Sequence, residues 1–127
     1  MAAERADYPR MTPAEYLAFD RASEIKHELI KGYVYAMTEG SENHSLIAVN
    51  TSTSLRIQVR GRSGKVYNSD MRVQIDADTC TYSDITVVCG ESRLADRERE
   101  TLLNPTLIIE VLSPSTERYD RGRKFQI

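Results

Sequence analysis

Apolar positions change their spacing from segment to segment along this chain, and the spacing predicts an order of elements. Residues 1–10, MAAERADYPR, carry charge without periodicity and read as a flexible arm. Thr12-Pro13-Ala14-Glu15 has the form of a helix start. Thr12 can cap, Pro13 suits the first helical position, and Glu15, three residues past the cap, completes a capping box. Tyr16, Leu17 and Phe19 supply apolar anchors, and the helix is expected to end near Ala22. From Lys26 to Met37 the pattern is a β-hairpin in which His27-Glu28-Leu29-Ile30 and Tyr33-Val34-Tyr35-Ala36-Met37 flank a Lys31-Gly32 turn. Gly40-Ser41-Glu42-Asn43 breaks the chain and offers N-caps. From His44 to Val59, Leu46, Ile47, Val49, Leu55, Ile57 and Val59 fall mostly at helical spacing around a Thr/Ser-rich middle, which predicts an amphipathic helix.

Gly61-Arg62-Ser63-Gly64 stops that helix. Lys65–Asn68 and Met71–Ile75 then read as strands, with Val73 and Ile75 alternating against Arg72 and Gln74. Asp76–Thr79 is a turn, and Tyr82–Cys89 is a β-branched strand closed by Gly90. Glu91–Glu100 mixes four acidic with three basic residues and reads as a solvated loop. Thr106–Leu112 is apolar on both faces apart from Glu110, the pattern of a central buried strand. Ser113-Pro114-Ser115-Thr116 can cap a last helix beginning near Glu117. The order α, hairpin, α, strands, α suits an α/β sandwich around one mixed sheet.

The 127 residues allow one domain. A net charge of −2 announces no global affinity for nucleic acid, so any such contact must come from a local patch. The N-terminus lacks the apolar core of a signal peptide, and no apolar run approaches the ~20 residues that cross a bilayer. A cytoplasmic protein without membrane contact is expected. Cys80 and Cys89 read as reduced, small apolar fillers, and with two histidines and no CxxC pair a structural zinc site is not expected. The absence of a Walker loop and of GxGxxG argues against a nucleotide cofactor.

Two acids carry the candidate chemistry. Glu110 stands within Leu107-Ile108-Ile109 and Val111-Leu112, where a carboxylate costs several kcal/mol unless it is paired or binds a metal. Asp84 precedes Ile85-Thr86-Val87-Val88, 26 residues earlier. Brought to neighbouring strand ends, the two would repel unless a divalent cation lay between them, and oxygen ligands suit Mg²⁺ or Mn²⁺. The plain alternative is a buried ion pair, or a strand end that reaches solvent. Arg118, Arg121, Arg123 and Lys124 outweigh Glu117 and Asp120 by +2. Lys124 could face a metal site, or simply pair with Asp120 one helical turn away, and the arginines could meet backbone phosphates. His44 is either a proton-transfer or phosphate-contacting group, or a helix-start hydrogen-bonding residue.

The strings SEIKHELIKGYVYAM, GSENHSLIAVN, SDMRVQI, YSDITVVCGE and LLNPTLIIEVLSPSTERYDRGRKF resemble the Uma-type restriction endonuclease family of the PD-(D/E)XK nuclease superfamily, from about Met11 to Phe125. The resemblance implies a restriction-endonuclease-like core: a mixed β-sheet flanked by helices, preceded by a short helix and a β-hairpin. It implies a metal-dependent endodeoxyribonuclease that hydrolyses DNA phosphodiester bonds and leaves a 5′-phosphate. By motif, Asp84 matches the Asp of the Pro-Asp pair, with Ser83 in the proline's place, and Glu110 matches the second acid. These two and the backbone carbonyl of Val111 would hold Mg²⁺ (or Mn²⁺), with Glu28 as a third acid. The superfamily's lysine position is occupied by Leu112, and the family resembles cases in which the lysine has moved to the following helix, which would make Lys124 the catalytic lysine. His44, Arg118, Arg121 and Arg123 would contact DNA, and cutting both strands suggests a homodimer. Residues 11–127 are expected to form a single nuclease-like domain, incomplete at its C-terminus relative to the family. The competing readings are a catalytically inactive DNA-binding or interaction module, and a truncated non-functional fragment.

Overall fold

The structure is a computed structural model that describes residues 3–5, 8–37, 40–95 and 99–112. Within the stretch read as one domain, the chain falls into two compact units: Met1–Gly40, Gln74–Thr81 and Leu112–Ile127 in one, Ser41–Val73 and Tyr82–Val111 in the other.

The first unit is organised by local signals. Helix α1 (Pro13–Ala22) starts at the expected capping box: Glu15 N–H donates to Thr12 Oγ1 at 3.2 Å, and Thr12 N–H donates to Glu15 Oε1 at 3.0 Å. The bonds to Thr12 hold the Glu15 carboxyl below its ordinary range. α1 buries Tyr16 against Leu29, Val34 and Cys80. It is fastened to strand β2 (His27–Ile30) twice, by the Tyr16 hydroxyl donating to the His27 carbonyl and by the His27 N–H donating to Asp20 Oδ1 at 2.9 Å. β2 and β3 (Tyr33–Met37) form the predicted hairpin, closed by Ile30↔Tyr33. Lys31 and Gly32 both have positive φ, 52° and 86°, as a two-residue turn matched to strand twist requires. A lysine in the left-handed region is strained, and the turn is clamped from several sides. Arg10 Nη2 donates to the Lys31 carbonyl at 2.7 Å, Gly32 N–H donates to the Asp78 carbonyl at 3.1 Å, and Lys31 Nζ meets Asp76 Oδ2 at 2.7 Å.

The segment expected to be a flexible arm contains a strand, β1 (Ala3–Arg5), paired antiparallel with β3. Backbone bonds to a free sheet edge need no apolar period, so the sequence pattern does not announce them. Strand β5 (Arg72–Asp76) turns through Ala77-Asp78 into β6 (Thr79–Tyr82), which joins β2 at Leu29↔Cys80.

In the second unit, α2 (Glu42–Val59) begins two residues before the expected start, capped by Ser41, whose Oγ accepts from His44 N–H at 3.2 Å. Its inward stripe is His44, Ala48, Thr51, Leu55 and Val59, whereas Leu46, Ile47, Val49 and Ile57 are exposed. The apolar residues therefore do not gather on the packed face as expected of an amphipathic helix. Strand β4 (Gly64–Tyr67) approaches the helix end so closely that a Cβ on Gly64 would lie 2.9 Å from Val59 Cβ. β4, β7 (Ile85–Cys89) and β9 (Leu107–Ile109) form a three-stranded antiparallel sheet with β7 in the middle. β5 begins in this unit and pairs in parallel with β8 (Thr101–Leu102), which makes the pairing mixed.

Three expectations change here. The buried central strand is β7, not Thr106–Leu112: among the described residues β9 pairs with β7 alone, and Leu107 is 46% exposed. An apolar run records that a strand is hydrophobic, not which neighbour covers it. Tyr82–Cys89 is two strands broken at Ser83-Asp84. Cys80 is a buried filler, but Cys89 is exposed. The mixed α/β class holds.

Gly32→Ala is expected to destabilise the protein by about 1 kcal/mol or more, read from the denaturant midpoint, because the left-handed turn is strained for any side chain and the new Cβ would sit 2.8 Å from Arg10 Nε. A second outcome concerns acid. The Lys31 ammonium holds the Asp76 carboxyl down, from 3.8 to about 2, and Asp76 in turn raises Lys31 above its ordinary 10.5. Asp76 therefore stabilises the fold above pH 3.8 and loses that contribution as pH falls through about 2. Lys31 stabilises below 10.5 and loses its contribution as pH rises beyond its raised value. Denaturation of Asp76→Asn followed against pH should show a shallower acid limb than the unmodified chain; parallel curves would refute the link.

Candidate active site

β7 is buried along Ile85–Val88, so the residue just before it is carried into the interior whatever its polarity. That residue is Asp84, which is 6% exposed. Its Oδ2 takes two hydrogen bonds, from Val111 N–H at 2.7 Å and with His44 Nε2 at 3.1 Å. One partner lies beyond the end of β9 and the other on the first turn of α2, so both flanking elements meet on one carboxylate oxygen. The β7–β9 register runs Ile85↔Ile109, Thr86↔Ile108, Val87↔Leu107. Continued by one residue, it sets Asp84 opposite Glu110. The two acids singled out from the sequence thus stand at the same end of one strand pair.

The other expected site residues are placed as follows. Val111, expected to offer its carbonyl, meets Asp84 through its N–H. His44 is buried and turned to Asp84. Glu28 is fully buried in the first unit. Arg118, Arg121, Arg123 and Lys124 lie outside the described residues. Sequence reasoning missed that Val111 N–H and His44 converge on Asp84. A Ser-x-x-His at a helix start was the available signal for His44, since it marks an imidazole on the first turn. Thr86, two residues along β7 from Asp84 and on the same strand face, is fully buried and its Oγ1 has no hydrogen-bond partner among the described residues. Among the described residues no group of three His, Cys, Asp or Glu side chains is placed to hold a metal ion. No helix among them is long and apolar enough to cross a membrane.

The fold has a solved counterpart. The crystal structure titled a putative nuclease belonging to DUF820, from Anabaena variabilis, matches with a TM-score of 0.71 and 21% identity over 91% of this chain and 66% of that one. The architecture is therefore a restriction-endonuclease-like fold. The sequence profile of the Uma2 family, described as "Putative restriction endonuclease", matches residues 13–127, and the chain belongs to that family. Two relatives from Synechocystis sp. are "Uncharacterized protein slr1290", 40% identical over 96% of this chain and 64% of its own length, and "Uncharacterized protein sll1609", 33% identical over 91% and 66%. The chain thus spans slightly less than two thirds of these relatives.

Replacing Thr86 by Val keeps the shape and removes a buried hydroxyl that has no partner among the described residues, so Thr86→Val should raise stability by about 1 kcal/mol in chemical denaturation. A loss of stability would mean that the hydroxyl is satisfied in solution.

Proposed function

We propose that the chain carries the catalytic core of an endonuclease that hydrolyses DNA phosphodiester bonds with Mg²⁺ (or Mn²⁺). The observation that carries this reading is the pairing of a buried, doubly bonded Asp84 with Glu110 at one strand end. The donor set fits a hard cation. Both hydrogen bonds to Asp84 fall on Oδ2, which leaves Oδ1 for a ligand. Mg²⁺ commonly binds through one or two carboxylates and completes its shell with water and substrate phosphate. Asp84 and Glu110 would hold the ion. When bound, it supplies Lewis-acid activation of water and offsets charge on the scissile phosphate. The chain's own part is to fix Asp84 in place through His44 and Val111, so that no reorganisation is needed when phosphate charge develops. Water oxygen bonds to phosphorus, the P–O3′ bond breaks, and the proton ends on the 3′ oxygen, leaving a 5′-phosphate. Lys124 is the proposed cation beside the phosphate, the basic residues Arg118, Arg121 and Arg123 the proposed backbone contacts, and a homodimer the proposed form for cutting both strands.

The competing reading is a catalytically silent DNA-binding or interaction module. It is favoured by Leu112, which occupies the superfamily's lysine position two residues past Glu110. Supercoiled plasmid incubated with Mg²⁺ separates the two. Nicking that EDTA abolishes, and that Asp84→Asn and Glu110→Gln each reduce by about 10²-fold or more, supports the nuclease. Cleavage unchanged in both variants refutes the assignment, and DNA binding without cleavage in Mg²⁺ or Mn²⁺ favours the silent module.

A further inference from the structure

The inward stripe of α2 begins at His44, and His44 is the one buried residue of that helix. At that place an apolar side chain would bury more favourably, because an imidazole taken from water costs free energy unless its nitrogens are bonded. Its Nε2 lies 3.1 Å from Asp84 Oδ2, with both side chains almost inaccessible. The backbone beneath the ring is fixed as well, since His44 N–H donates to the capping Ser41 Oγ. Ser41 therefore sets where the helix starts, the start sets where the imidazole stands, and the imidazole sets how the carboxylate lies. With Val111 N–H on the same oxygen, the carboxylate has its orientation fixed by two elements and only Oδ1 left to turn outward.

We infer that His44 is a positioning residue: its Nε2–H donates to Asp84 Oδ2 and aims Oδ1 at the cation. This rests on the reading of Asp84 as a metal ligand and adds to it a role distinct from contact with DNA phosphate. Groups that orient a ligand from behind typically change metal affinity or activity by about 10–100-fold when removed.

The test uses His44→Leu, which keeps much of the volume and loses the donor, and His44→Gln, whose terminal amide can reach where Nε2 stood. Mn²⁺ affinity is measured by calorimetry for these, the unmodified chain and Asp84→Asn. His44→Leu should weaken Mn²⁺ binding by about 10–100-fold and lower kcat for DNA cleavage without raising KM, and His44→Gln should restore most of both. If His44→Leu does not fold, His44→Asn replaces it, since its amide is too short to reach Asp84. A leucine variant that binds Mn²⁺ like the unmodified chain, or a glutamine variant that restores nothing, overturns the inference. A rise in KM with kcat unchanged would assign His44 to DNA contact instead. If the unmodified chain takes up no Mn²⁺, the metal reading fails separately. Crystal structures of the leucine and glutamine variants then still decide positioning, by whether the Asp84 side chain swings away in the first and stays in the second.

Discussion

A buried carboxylate is tolerable only when its oxygens are hydrogen-bonded, and Asp84 meets that condition by drawing on two separate elements. The bond from Val111 N–H ties the chain beyond β9 to the entrance of β7, and the bond with His44 ties the start of α2 to the same point. Remove the carboxylate and a buried N–H and a buried imidazole each lose a partner, which costs about 1–3 kcal/mol per group. The second unit is thus held at one end by a polar knot and along its length by the apolar residues of β7. The knot gives direction: an apolar contact at the same place would hold the elements together without fixing which way an oxygen points.

What the sequence made legible was what is local. The capping box of α1 and the Lys31-Gly32 hairpin depend on residues within a few positions of one another, and both were read correctly. The two-residue strand β8 and the three-residue strand β1 are too short to carry a period. β9 was recognisable as a strand but not as a partly exposed one, because burial belongs to the neighbours as much as to the residues themselves. Asp84 and Glu110 stood out as acids set among apolar strand residues. Their opposition depends on the β7–β9 register, and no single strand contains that information. His44 and Asp84 are 40 residues apart, so only the fold reveals that they touch.

The first unit holds a second aspartate–histidine pair, and the contrast shows what geometry adds to composition. Asp20 Oδ1 takes the backbone N–H of His27 and lies 3.7 Å from its ring Nδ1, while the His27 carbonyl accepts from Tyr16 and its ring packs edge-on against Phe19. Those contacts join a helix to a hairpin and serve that joint. The Asp84 pair uses the same side-chain types, yet it stands opposite a second acid and keeps one carboxylate oxygen clear of both its bonds. An aspartate beside a histidine is therefore no signature of a site; an oriented carboxylate with a neighbouring acid and an open oxygen is a stronger one.

Ser83 bears on the same point. A proline before Asp84 would stiffen the break between β6 and β7 by fixing its own φ and restricting the residue ahead of it. The stiffening would act on the backbone and leave the χ angles of Asp84 free. Here Ser83 is fully buried, which confines the backbone by packing, and the side chain of Asp84 is set by its two hydrogen bonds. The departure from Pro-Asp therefore falls on a function that burial already performs. The departure at Leu112 is different in kind, because it removes a positive charge, which neither burial nor a hydrogen bond can replace.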